Sequence, residues 1–166
     1  MERFVGPIGA LVALTLTAVS GCKSDDCASG AHRDEQNEFC VAVPAGWQFA
    51  ETTPDGDEVR ARFVKGSKDS PSAVFEVTAR AASEFENRKQ FMAMQNKADF
   101  VQVTAQKDLP NGGWWFQSHN KTLDSETTMS FVKGKSKMAE CHGGWSKGSP
   151  APEITEACKS LRGLTK

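Results

Sequence analysis

The feature that most constrains the fold is a period-two alternation of apolar and polar residues that recurs along most of the chain. Phe39, Val41 and Val43 alternate with other residues, as do Val59, Ala61 and Phe63 with Arg60 and Arg62. Phe75, Val77 and Ala79 alternate with Glu76, Thr78 and Arg80. Successive side chains of a strand point to opposite faces, so each run predicts a strand with one buried side. Trp47 with Phe49, Val101 to Ala105, Trp114 to Phe116, Thr127 to Phe131 and Met138 to Cys141 extend the series. Turn signals separate the runs: Pro44-Ala45-Gly46, Pro54-Asp55-Gly56, Leu109-Pro110-Asn111-Gly112-Gly113 and Lys133-Gly134-Lys135-Ser136-Lys137.

The period changes twice. Ser83-Glu84-Phe85-Glu86 has the form of a capping box, and Phe85, Phe91, Met92 and Met94 lie among charges up to Ala98, as in an amphipathic helix. After a loose loop from Gly143 to Pro150, Pro152 suits a first helical position. Ile154, Cys158 and Leu161 then share a helix face, with Gly163 as the expected C-cap. The predicted order is three or four strands, a helix, three or four strands and a closing helix. That order favours an α+β domain, a mostly antiparallel sheet of about six to eight strands flanked by helices.

The first residues carry a different signal. Arg3 precedes an uncharged stretch, Phe4 to Val19, that is too short and too broken by Gly6, Pro7 and Gly9 to span a bilayer. It suits the apolar core of an export signal. Val19-Ser20-Gly21-Cys22 resembles the bacterial lipobox: an aliphatic residue, two small residues that admit a peptidase, and a thiol that receives diacylglycerol. The expected organisation is a signal peptide over 1–21, cleaved between Gly21 and Cys22. A lipidated polar tether over 22–38 and a single domain over 39–166 follow. Two or three acyl chains give stable anchoring where one does not. Lys23 follows the cysteine, whereas an aspartate there resembles the inner-membrane retention signal of enteric bacteria. The expected location is therefore the cell envelope, at the outer membrane if the organism has two.

Cysteine arithmetic agrees with export. Setting Cys22 aside leaves Cys27, Cys40, Cys141 and Cys158, an even number grouped at the two ends of the mature chain. In an oxidising compartment they read as two disulfides. Local pairing, Cys27–Cys40 and Cys141–Cys158, would close two short loops at ~3 kcal/mol each; a staple between the ends, such as Cys40–Cys141, is the alternative. The net charge of −1 gives no reason to expect nucleic acid as a partner.

The run Phe39-Cys40-Val41-Ala42-Val43-Pro44-Ala45-Gly46-Trp47 resembles the strand and Pro-x-Gly-Trp opening of the PsbP-like family. That family includes the photosystem II extrinsic subunit and many small bacterial lipoproteins. A closing helix with Cys158 to Leu161 is similar too. The resemblance spans residues 39–164 and implies an αβα sandwich that acts as a binding or assembly module. It carries over no functional residue.

Three motifs invite chemistry. Gly144-Trp145-Ser146-Lys147-Gly148 fits the nucleophile elbow, which requires a parallel strand before it, a helix directly after it and a later histidine; no histidine follows Ser146. Gly134-Lys135-Ser136 resembles the end of a phosphate loop, but Met129 stands where its first glycine should be. His32, His119, His142 and the cysteines show no metal-ligand spacing, and Cys141 and His142 should face opposite ways, so neither metal nor cofactor is expected. Trp115 reads first as strand packing; if exposed, it would form an interaction surface with Gln117 and His119. The chain is thus expected to be a non-catalytic module that binds an envelope protein or small ligand. The alternative is an extracytoplasmic enzyme, and His119 or His142 in a pocket beside a carboxylate would reverse the order of the two.

Overall fold

A computed structural model describes residues 27–82, 88–146 and 151–165. The lipobox, the capping box at 83–86 and Gly148 lie outside these residues. The strands are β1 (His32–Asp34), β2 (Phe39–Val41), β3 (Trp47–Asp55), β4 (Glu58–Gly66) and β5 (Pro71–Ala81), then β6 (Val101–Asp108), β7 (Trp114–Asn120), β8 (Ser125–Lys133), β9 (Lys137–Ser146) and β10 (Arg162–Gly163). Helix α1 (Arg88–Lys97) precedes β6, and α2 (Pro152–Ser160) precedes β10. None of the described helices is long and apolar enough to cross a membrane.

Seven strands form one sheet in the order β3-β4-β5-β9-β8-β7-β6, with every neighbouring pair antiparallel. The mostly antiparallel sheet is as expected. Strands so outweigh the two helices that the fold lies nearer all-β than the predicted α+β. Both edge strands are blunted: register breaks between Phe49 and Glu51 in β3 and between Val103 and Ala105 in β6, and Pro54 lies on β3.

One face carries the main core. Ala61, Phe63, Phe75, Val77, Ala79, Ala139 and Cys141 pack there against Ile154, Ala157, Cys158 and Leu161 of the closing segment. Phe63 stacks on Phe75 at 4.7 Å between centroids. Each such ring contributes about 1.5–3 kcal/mol when removed from water. Helix α1 lies on the other face, where Phe91 meets Trp114, Phe116, Phe131 and Met138. Met94, expected on the apolar stripe, is exposed.

A smaller sheet, β1-β2-β10, joins the two ends of the described chain. The polar run expected as a tether therefore contributes β1 to the fold. His32 stacks on Phe49 at 4.6 Å and meets Phe63 edge-on at 5.1 Å. Burial holds its imidazole below the usual 6.5, against the opposing pull of Asp34. Gly163 sits in β10, not at a helix C-cap; Leu161 is the C-cap residue of α2.

The disulfides pair locally: Cys27 with Cys40 and Cys141 with Cys158, at Cα separations of 6.0 and 5.3 Å. The second ties β9 to α2. The stretch Gly143 to Ser146, expected as loose loop, continues β9. Its glycines hide the alternation, because Gly143 faces the core with no side chain to mark it. A Cβ there would stand 2.3 Å from Ile154 Cγ2, so the absent side chain is what lets α2 settle on the sheet.

The hairpin Lys133–Lys137, noted for its phosphate-loop likeness, holds an anion of the chain itself. Glu38, in the left-handed region at φ 60°, accepts hydrogen bonds from Ser136 N and Oγ (2.6 Å each) and Lys137 N (2.9 Å). Successive amides aimed at one point make an anion-binding concavity. Burial pushes the Glu38 carboxyl up, but the Ser136 hydroxyl and the amides of residues 135–137 outweigh it and hold it below the ordinary 4.5.

Two outcomes follow from these contacts. Gly143→Ala should lower unfolding free energy by about 1–3 kcal/mol in denaturant titration, because Ile154 must move. Glu38→Gln should cost roughly 1 kcal/mol near neutrality. Its folded-state pKa is depressed, so its contribution is present above the unfolded value and is lost as pH falls through the folded one. The gap between wild type and variant should therefore close below pH 4.5.

Candidate functional site

Strand β7 places Trp115, Gln117 and His119 on one face, as alternation requires. Trp115 is buried, however, and cannot serve as an exposed anchor: its indole N–H donates to Thr128 Oγ1 at 2.6 Å, and Lys159 Nζ lies 4.5 Å above its ring. The core reading of this tryptophan holds. Gln117 borders a hollow of about 240 Å³ with Trp145, Pro152 and Thr155. His119 is clamped between carboxylates, Nδ1 3.2 Å from Glu126 and Nε2 3.6 Å from Asp124.

The other motifs resolve structurally. Ser146 ends β9, which pairs antiparallel with both its neighbours, whereas a nucleophile elbow needs a parallel strand. Cys141 points into the core and bonds Cys158, while His142 projects from the opposite face. Among the described residues no group of three or more His, Cys, Asp or Glu could hold a metal ion.

The more extensive feature lies on the face that α1 covers only in part. Helix α1 packs over β7, β8 and the Met138 end of β9, and the polar sides of β3, β4, β5 and the rest of β9 remain outside that contact. Register builds a charge lattice across them. Glu51 opposes Arg62, Arg62 opposes Glu76, and Glu76 opposes His142; one row further, Thr53, Arg60, Thr78 and Glu140 align. Cross-strand neighbours are close enough for such side chains to interact.

The lattice is largely self-neutralised. Arg60 binds Asp55 at 2.6 Å, Arg62 approaches Glu51 at 3.8 Å, and Arg80 reaches Glu58 at 3.1 Å and Glu140 at 3.6 Å. Two adjoining hollows lie in it. One of about 330 Å³ is lined by Glu51, Thr53, Asp55, Arg60, Arg62 and Glu76. The other, of about 400 Å³, is lined by Glu58, Arg60, Glu76, Thr78, Arg80, Glu140 and His142. Arg60 and Glu76 line both, and Arg60 Nε is buried without a hydrogen-bond partner. Crowding by its surroundings holds the His142 imidazole below its usual value, against the opposing charge of Glu76.

Sequence reasoning placed Arg60, Arg62, Glu76, Thr78 and Arg80 on the polar sides of strands, but not together with Glu140 and His142. The missing link is the pairing of β5 with β9, which no local pattern encodes. An available signal was the density of paired opposite charges on the polar sides of consecutive strands.

No family model matches the chain, and no curated protein matches it. Among solved structures it is similar to one from Bacteroides thetaiotaomicron VPI-5482, at 13% identity over 77% of this chain, with a TM-score of 0.44. The chain spans about half of that neighbour, 46% of its length, and a likeness at this level carries no argument about activity.

Proposed function

We propose that this protein is a lipid-anchored extracytoplasmic binding module whose binding surface is the charged face of β3, β4, β5 and β9. The observation that carries the reading is the pair of adjoining hollows sharing Arg60 and Glu76. A lattice of alternating charges favours a partner of complementary pattern and penalises others, the usual role of charge at an interface. Two disulfides support an oxidising compartment. The lipobox likeness at Cys22 supports attachment to the envelope, at the outer membrane where two exist. The run Phe39 to Trp47 is the basis for a PsbP-like assignment, and helices on opposite faces of the sheet are the layering such a domain requires.

One observation favours a second reading. His142 lines the larger hollow beside Glu76 and Glu140, the arrangement expected of an extracytoplasmic enzyme. Binding takes precedence because His142 is exposed, the neighbouring arginines are already paired, and Thr78 supplies the only hydroxyl among the described lining residues.

The reading is tested by affinity capture from an envelope extract, comparing the mature chain with an Arg62→Glu/Glu76→Arg double variant. A species held by the first and lost by the second, at unchanged circular dichroism, is the expected result. Equal capture by both would remove the charged face as the binding surface. Attachment has its own check: Cys22→Ala should leave the chain unprocessed and unlipidated, and a processed, membrane-bound variant would overturn the anchor.

A further inference from the structure

The two disulfides stand in different surroundings. Cys141 and Cys158 are both fully buried between β9 and α2. In the other bridge Cys40 is buried at 1% exposure, but Cys27 is only partly covered. Arg33 Nη1 lies 3.3 Å from Cys27 Sγ. A cysteine that is accessible and beside a guanidinium is the kind that reacts, because the thiolate is favoured there, while buried structural cysteines are inert.

We propose that Cys27–Cys40 is a site of thiol–disulfide exchange with an extracytoplasmic dithiol, and that its redox state sets whether the segment from Cys27 to His32 is held or free. The bond change is balanced. A thiolate of the dithiol bonds to the accessible Cys27 Sγ; the electron pair of the disulfide leaves with Cys40 Sγ, which takes a proton. The second thiol of the dithiol, losing its proton, then displaces Cys27, which departs as a thiolate beside Arg33. The bridge gains two electrons and the dithiol becomes a disulfide. A stabilised leaving thiolate speeds this second step.

The consequence depends on what stays behind. With the bridge closed, Cys27 is fixed beside Cys40. With it open, the next hold is β1, which keeps its register with β2 through His32↔Val41, Arg33↔Cys40 and Asp34↔Phe39. His32 remains stacked on Phe49, and Asp34 still accepts hydrogen bonds from Asn37 N at 2.9 Å and Nδ2 at 2.8 Å. Between Cys27 and His32 stands a single turn, closed by Ala31 N donating to Ala28 O at 3.0 Å. Opening it frees the five steps from Cys27 to His32, roughly 17 Å of extended chain. If Cys22 carries lipid, as proposed above, that length adds to the distance the domain can stand from the membrane.

The exchange itself is tested without lipid, on the unlipidated Cys22→Ser chain, so that its outcome is separate from the anchor reading. The chain is treated with dithiothreitol under native conditions, quenched with an alkylating agent and mapped by mass spectrometry. Cys27 and Cys40 should become alkylated faster than Cys141 and Cys158 by roughly tenfold or more. Simultaneous opening of both bridges, or earlier opening of Cys141–Cys158, overturns the proposal. Arg33→Gln should lengthen the life of the mixed disulfide on Cys27 severalfold, read by mass after acid quench; an unchanged lifetime removes Arg33 from the second step. Hydrogen exchange on the selectively reduced chain reads the length. Protection should fall at Ala31 and persist across His32–Asp34, whereas loss across β1 as well would show unfolding of the small sheet in place of a lengthened lead.

Discussion

The pairing of β5 with β9 is the contact on which the remaining architecture depends. Strands β3 to β5 form one meander and β6 to β9 another, and each alone would expose a hydrophobic face and an open edge. Joining Phe75 to Gly143, Val77 to Cys141 and Ala79 to Ala139 merges them into one sheet. The same strand then receives α2 through the Cys141–Cys158 bond and through the gap left by Gly143. Because β9 is central in pairing and in packing, its two faces have divergent roles. Ala139 and Cys141 build the core, while Glu140 and His142 complete the charged lattice behind it.

That duality explains what was legible in the sequence. Residues that alternate locally, such as Val59-Ala61-Phe63 or Phe75-Val77-Ala79, announced both their strands and their buried sides. Pro152 announced the start of α2, since its missing N–H costs nothing at a first helical position. Glycines were the weak point. Gly143 and Gly144 carry no hydropathy and read as loop, although a close helix contact makes Gly143 a core residue. Gly163 read as a cap because glycine ends many helices, but its role is close backbone approach: a Cβ there would lie 2.1 Å from Lys133 O.

The candidate site was legible only in halves. Strands β4 and β5 displayed their arginines and glutamates openly, as the polar half of the alternation. Their relation to Glu140 and His142 needs a strand pairing that spans some sixty residues of sequence, and no spacing rule reaches so far. The Trp114-Trp115-Phe116 run reads as a strand, and its rings are divided between the two cores. Aromatic density marked where helices press on the sheet, and charge density marked where they do not. The Gly134-Lys135-Ser136 turn illustrates a related point: backbone amides that could cradle a phosphate are occupied by Glu38, ninety-eight residues before Ser136.

The small sheet has a consequence in time as well as space. Strand β2 lies between β1, which precedes it directly, and β10, at the far end of the chain, with Arg162 opposite Cys40 and Gly163 opposite Phe39. A chain that emerges from its N-terminus can form the β1–β2 hairpin at once, but must wait for Arg162 and Gly163 before β2 gains its second neighbour. Until then Phe39 and Val41, both buried at the end, lack the segment that covers them. Completion of the small sheet therefore waits for β10, and a product cut before Arg162 would betray itself by an exposed apolar strand.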